Sequence, residues 1–161
     1  MSPYTAAVRW RRKPEERFVD GRYGRGHEWA FDGGATVIAS ASPHVVPLPF
    51  TVPAGVDPEE ALVASLSSCH MLFFLDFAKR AGFVVDSYDD HAEGLMATGL
   101  DGRAWMARVT LRPRVVFSGD QRPRRAEVEA LHHRAHEACY IANSVKSEVT
   151  VEGSEDGLAE R

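Results

Sequence analysis

DPEEALVASLSSCHMLFFLDFAKR, Asp57 to Arg80, decides how this chain is read. Asp57 can cap a helix, and Pro58 suits the first turn, where a missing N–H costs nothing. Glu59 and Glu60 add negative charge at the positive end of the helix dipole. From Ala61 to Phe77 apolar side chains point in nearly every direction around the axis. That pattern predicts a central helix to about Arg80, enclosed on most sides and ended by Gly82. Its charge-free part, Ala61 to Leu75, is shorter than a bilayer needs and is interrupted by Ser65, Ser67, Ser68 and His70. A buried helix is therefore expected and no membrane span.

On the N-terminal side, Pro43, Pro47, Pro49 and Pro53 forbid regular structure, so residues 43 to 57 should form an ordered irregular loop of the kind that often covers a site. Before it, Tyr4 to Trp10 alternates apolar and polar residues and Thr36 to Ser42 is β-branched and small, with a turn at Asp32-Gly33-Gly34; this third is sheet. On the other side, Val84 to Thr98 and Ala104 to Phe117 read as two strands joined through Leu100-Asp101-Gly102, a favoured hairpin turn. Pro123 opens a second helix that runs through Val128, Leu131 and Ala135 to Cys139, and Val145 to Glu152 returns as a last strand. The order βββ-α-ββ-α-β predicts an α+β fold, helices on antiparallel sheet.

The chain has 161 residues, of which 44% are hydrophobic and 26% charged, which suits a single globular domain over 1–161 with its core at about 4–152. Net charge is −4, and basic residues cluster only at Arg9 to Lys13 and Arg122 to Arg125, so no nucleic-acid partner is expected. The N-terminus lacks an apolar stretch after its charges, which leads to the expectation of a reducing, cytoplasmic compartment. Two distant cysteines, Cys69 and Cys139, are then inert core thiols, a redox pair or metal ligands. Ser67, Ser68 and His70 around Cys69 suggest a pocket in an otherwise apolar helix.

Asp57-Pro58-Glu59-Glu60-Ala61-Leu62, with Ala64 and Ser68-Cys69, resembles the "NPEEL…AA…AC" helix of the OsmC/Ohr proteins, the osmotically induced and organic hydroperoxide resistance peroxidases. Ala135-His136-Glu137-Ala138-Cys139 corresponds to the family's second cysteine, and Gly21-Arg22-Tyr23-Gly24-Arg25 to its arginine-bearing turn. Tyr140 stands where the family often has Pro, and His70 where many members have Phe. The resemblance implies an OsmC-like fold, an intertwined homodimer with sites at the interface, and reduction of organic hydroperoxides in oxidative stress. It gives Cys69 the peroxidatic and Cys139 the resolving role. No cofactor or metal is implied, only an external dithiol reductant such as a lipoylated protein or a small thiol.

That chemistry needs a thiolate, and an ordinary cysteine is only about 3% ionised at pH 7. Full ionisation gains roughly thirtyfold, far below what enzymes supply, so a cation must also stabilise the departing alkoxide. Arg22, with Arg25 in reserve, is the candidate, and Glu59 could hold its guanidinium through a bidentate pair. Glu59 and Cys69 are separated by about 15 Å along a straight helix, so the arginine must bridge or a partner subunit contribute. Phe50, Phe73, Phe74 and Tyr140 could line an apolar substrate pocket.

Three other readings compete. His132, His136 and Cys139, with His133, share a helical face that could bind a transition metal, with Cys69 or His70 as a fourth ligand. The plainer reading is a solvated histidine face interleaved with Arg134 and Glu137. A Cys-His hydrolase would pair Cys69 with His70, although adjacent helical residues point apart. A non-catalytic small-molecule-binding protein would use the proline loop as a lid.

Overall fold

A computed structural model describes residues Pro3 to Ala159, and the chain divides into two compact units, one reaching to Ala61 and one from Leu62 onward. In the first unit β1 (Ala6–Arg9), β2 (His27–Phe31) and β3 (Thr36–Ala39) make an antiparallel sheet in that order. The β2–β3 turn closes at Gly34, whose φ of 86° is a left-handed conformation that glycine adopts without strain. The proline-rich segment holds no helix or strand, as expected, yet it is tied down. The Ser40 hydroxyl accepts the Val52 N–H at 2.9 Å, and the Arg25 N–H donates to the Phe50 carbonyl at 2.8 Å.

Helix α1 (Pro58–Arg80) begins at the end of the first unit and runs on through the second. Its start follows the sequence: the Asp57 carboxylate accepts the Glu60 N–H at 2.8 Å, and Glu60 accepts the Asp57 N–H at 3.2 Å, a reciprocal cap. Enclosure on most sides is corrected. Only Leu66, His70, Phe74 and Ala78, one stripe four residues apart, are fully buried, while Glu60, Ala64, Ser68 and Leu72 on another stripe are exposed, Leu72 by 60%. A single chain covers one side of an all-round apolar helix. The whole helix, at 23 residues, does reach the length and apolarity of a bilayer span. The protein's own core occupies its buried stripe.

The second unit contains β4 (Val84–Asp90), β5 (Glu93–Thr98), β6 (Ala104–Leu111), β7 (Pro113–Ser118), α2 (Arg125–Ala138), a 3-10 turn (Ala142–Ser144), β8 (Glu148–Val151) and β9 (Ser154–Asp156). The α+β architecture holds, but the two strand runs expected directly after α1 are each divided in two, and beyond the expected last strand a break is followed by a further short strand, β9. The pieces form two mixed sheets, β4-β7-β9 and β5-β6-β8, antiparallel between β4 and β7 and between β5 and β6, and parallel along β8 and β9.

All three breaks fall at one bend. Pro113 has no N–H for the ladder, and the Arg112 N–H donates to the Asp90 carboxylate at 2.6 Å. Gly153 lies against Pro113, where a Cβ would come within 3.3 Å of its carbonyl oxygen. The Arg112 guanidinium bridges Glu93 and Glu152 across the same bend. Asp90 also accepts the Ser67 hydroxyl, so one carboxylate fixes both the bend and α1.

The bend separates two apolar clusters. Leu66 packs with Met106, Val109 and Leu111 of β6. Phe74 and Ala78 pack with Val115 and Phe117 of β7 and with Val128, Leu131 and Ala135 of α2. Residues 67 to 70 of α1 lie between these clusters, where polar side chains meet the helix.

Candidate functional site

Cys69 sits in that stretch, half-buried on α1, and Cys139 caps the C-terminal end of α2, 1% exposed. Both thiols are free, and Cys69 is near enough to Cys139 to raise its pKa. The Cys139 sulfur also accepts the Ala142 N–H at 3.3 Å from the turn that follows. Burial, and then neighbouring Cys69, pushes the Cys139 thiol up to about 11. Cys139 therefore keeps its proton at neutral pH. Only a thiolate is a strong nucleophile, and the half-buried sulfur is the reachable one.

Phe73, one turn after Cys69, meets Tyr140, the residue after Cys139, edge to face at 5.1 Å. Tyr140 is 70% exposed, so this aromatic pair borders the thiols at the surface. Phe74 is corrected: it is fully buried in the core against Phe117, Tyr88 and His132, and cannot line a substrate pocket. A 100° step around the helix sends neighbouring phenylalanines to different environments.

Arg22, Arg25, Phe50 and Glu59 belong to the first unit. There a cleft of about 330 Å³ includes Arg22, Phe50, Thr51 and Val52 in its lining. The Arg25 guanidinium is committed locally: it donates to the Gly21 and Tyr23 carbonyls and lies 3.7 Å above the Tyr23 ring. Arg22 is exposed, and its side chain has no hydrogen bond or ion pair among the described residues. Glu59 likewise has no ion pair among them, so the expected bidentate pair with an arginine is not formed.

The histidines depart most from the solvated-face reading. His132 is 8% exposed, and its Nδ1 lies 3.0 Å from Nε2 of buried His70, the rings stacked at 13°. Burial takes both imidazoles down to about 4; nearby His136 also lowers His70, while Asp90 opposes the shift, and His70 lowers His132. Both rings are neutral near pH 7. The metal set of His132, His136 and Cys139 is not assembled, because no three donors among the described residues gather to hold a metal ion. The buried position of His132 could have been found from spacing, because Val128, Leu131, His132 and Ala135 trace one helical stripe.

Comparison with known proteins agrees with this architecture. The family model described as "OsmC-like protein" matches residues 52–154. An OsmC-like protein of unknown function from Vibrio cholerae is 52% identical; the match covers 96% of this chain and 100% of that one, with a TM-score of 0.93. An organic hydroperoxide resistance protein from Legionella pneumophila, 14% identical over 98% of each chain, has the same fold with a TM-score of 0.64. The organic hydroperoxide resistance protein OhrB of Bacillus subtilis, 17% identical over 96% of this chain and 98% of its own, matches with a TM-score of 0.61. No curated protein sequence matches. The family match over most of the second unit and the 52% identity along nearly the whole chain establish that this protein belongs to the OsmC-like family.

Proposed function

We propose that this chain is a thiol peroxidase that reduces organic hydroperoxides to alcohols, with Cys69 as the peroxidatic and Cys139 as the resolving cysteine. The observation that carries the reading is the pair of neighbouring reduced thiols, one reachable and the other holding its proton. The Cys69 thiolate attacks a peroxide oxygen, the O–O bond breaks, and the alkoxide leaves and takes up a proton. Cys69 is then a sulfenic acid. Cys139 attacks its sulfur, the hydroxyl departs as water with the Cys139 proton, and a disulfide closes. An external dithiol, a lipoylated protein or a small thiol, gives two electrons and two protons to restore both cysteines and is itself oxidised.

Charge on the departing alkoxide needs a cation. Arg22 is the better candidate than Arg25, because its guanidinium is not already engaged by backbone carbonyls and an aromatic ring. Glu59 would orient it. Phe73 and Tyr140, with Phe50, would receive the apolar part of the substrate. The exposed stripe of α1 through Ala64, Ser68 and Leu72 supports a homodimer as the working form, and a cytoplasmic site would keep the thiols reduced.

The test is thiol counting after one equivalent of cumene hydroperoxide. Wild type should lose two thiols to an intramolecular disulfide and Cys69→Ser none. Equal reaction in wild type, Cys69→Ser and Cys139→Ser would reject the mechanism.

A further inference from the structure

The chain has a net charge of −4, yet the stretch from Arg9 to Arg25 holds seven Lys and Arg residues against three acids, Glu15, Glu16 and Asp20. Most of this stretch is the connection from β1 to β2, and hydrogen bonds fix its shape. The Arg12 guanidinium donates to the Lys13, Pro14 and Glu16 carbonyls at 2.9, 3.0 and 2.7 Å. The Glu16 carboxylate accepts the Lys13 and Gly24 N–H groups, and the Trp10 indole N–H donates to the Gly24 carbonyl at 2.8 Å.

The connection supplies Arg11, Lys13, Glu16 and Arg22 to the lining of the 330 Å³ cleft in the first unit, and Phe50 and Val52 supply apolar surface to it. The Arg25 N–H ties the two walls together through the Phe50 carbonyl. Gly26 permits their close approach, since a Cβ there would come within 2.8 Å of Val52 Cγ2.

Arg12 and Arg25 spend their guanidinium groups on backbone carbonyls, but the cations of the cleft do not. Arg11 gives one N–H to the Trp10 carbonyl and keeps the others. The Lys13 and Arg22 side chains have no hydrogen bond or ion pair among the described residues, and all three side chains are exposed, so a ligand can reach their N–H groups. Glu16 opposes them with a single carboxylate whose two oxygens already accept backbone N–H groups. Three like charges around one cleft repel one another, and a bound anion relieves that repulsion. A guanidinium offers two parallel N–H donors that match a carboxylate. The charge of Glu16 disfavours a dianion, and the Phe50 and Val52 surface favours an anion with an apolar body.

We propose that this cleft binds a small organic acid as its anion, the carboxylate meeting Arg11, Lys13 and Arg22 and the apolar body lying on Phe50 and Val52. Its volume suits such a ligand. Arg22 is also the cation proposed for the departing alkoxide, but binding is measured on the resting protein without peroxide, so the two readings fail separately.

Full-length reduced protein would be titrated by calorimetry and two-dimensional NMR with benzoate, benzamide, acetate and inorganic phosphate. Benzoate should bind with resonance changes confined to residues 10–26 and 49–52, and added salt should weaken it. Benzamide keeps the ring without the charge and should not bind. Acetate keeps the charge without the ring and should bind at least about tenfold more weakly. Arg11→Gln and Lys13→Gln, both at exposed side chains, should each weaken benzoate by about two- to fivefold. Arg103→Gln, at an exposed cation of the second unit, should leave its affinity unchanged. The contrast between benzoate and benzamide is read on the wild type and needs no variant to fold. The proposal is overturned if benzoate fails to bind at millimolar concentration, if benzamide binds equally well, or if the double variant of Arg11 and Lys13 keeps full affinity. Phosphate binding more tightly than benzoate would overturn it in favour of an inorganic-anion site.

Discussion

Two pairs of side chains join α1 to α2, and consecutive residues of α1 supply half of each: Cys69 meets Cys139, and His70 meets His132. The thiol pair includes a half-exposed member, lies beside an aromatic pair at the surface and is the proposed redox pair. The imidazole pair is buried, neutral and stacked, and its shared hydrogen bond serves packing. One step along a helix separates chemistry from architecture, because that step turns the side chain by about 100°.

The strongest test of this division is Cys69→Ser, which should reduce hydroperoxide turnover by at least about a thousandfold in a dithiol-coupled assay. A variant keeping a tenth of the activity would break the assignment. Cys139→Ser should keep the first turnover but lose the disulfide. Mass spectrometry should then find Cys69 as sulfenic and sulfinic acid, and steady-state turnover should fall by at least about tenfold.

His70→Leu addresses the other pair. It leaves His132 Nδ1 without a partner in the core and should cost about 2–4 kcal/mol in urea unfolding, while two titratable thiols remain. Adding His132→Phe should recover part of that loss, since removing both partners leaves no orphan. A larger loss in the double variant would mean that the imidazoles do more than satisfy each other.

The smallest effects concern pH, and they separate the pairs by sign. The imidazoles sit at about 4 when folded against 6.5 when unfolded, so the unfolded chain takes up protons first and stability falls as pH drops from 6.5 through 4. Cys139 sits at about 11 against 9.0, so its contribution is complete below 9.0 and is lost as pH rises through 11. Urea midpoints of wild type should decline on both flanks. Cys139→Ser should flatten only the alkaline one, and His70→Leu should flatten part of the acid one.

Much of this was written locally in the chain. Asp57, Pro58 and Gly82 mark the ends of α1 through interactions within a few residues, and the proline segment excludes regular structure by its own stereochemistry. The bend was hidden, because it depends on the Arg112 N–H leaving the ladder for Asp90, 22 positions away. Strand patterning reads faces and does not register such a diversion. Cys69 and Cys139 were singled out through family resemblance; spacing alone left inert thiols and metal ligands open. His132 was obscured by polar and charged neighbours at 133, 134 and 137, although its place on an apolar stripe was legible. Telling Phe73 from Phe74 required knowing which stripe of an all-round apolar helix the chain would cover.

Asp90 bears on the proposed redox cycle. By holding the Ser67 hydroxyl and the Arg112 N–H together, it anchors α1 two residues before the Cys69 sulfur. Joining two sulfurs requires them to approach to about 2.05 Å, and an anchored helix cannot supply that travel. The displacement would fall on the other partner, where Cys139 ends its helix and leads into a short turn at Ala142–Ser144. Oxidation would thus act as a one-sided latch, its movement emerging near Tyr140 where a reducing protein could sense it.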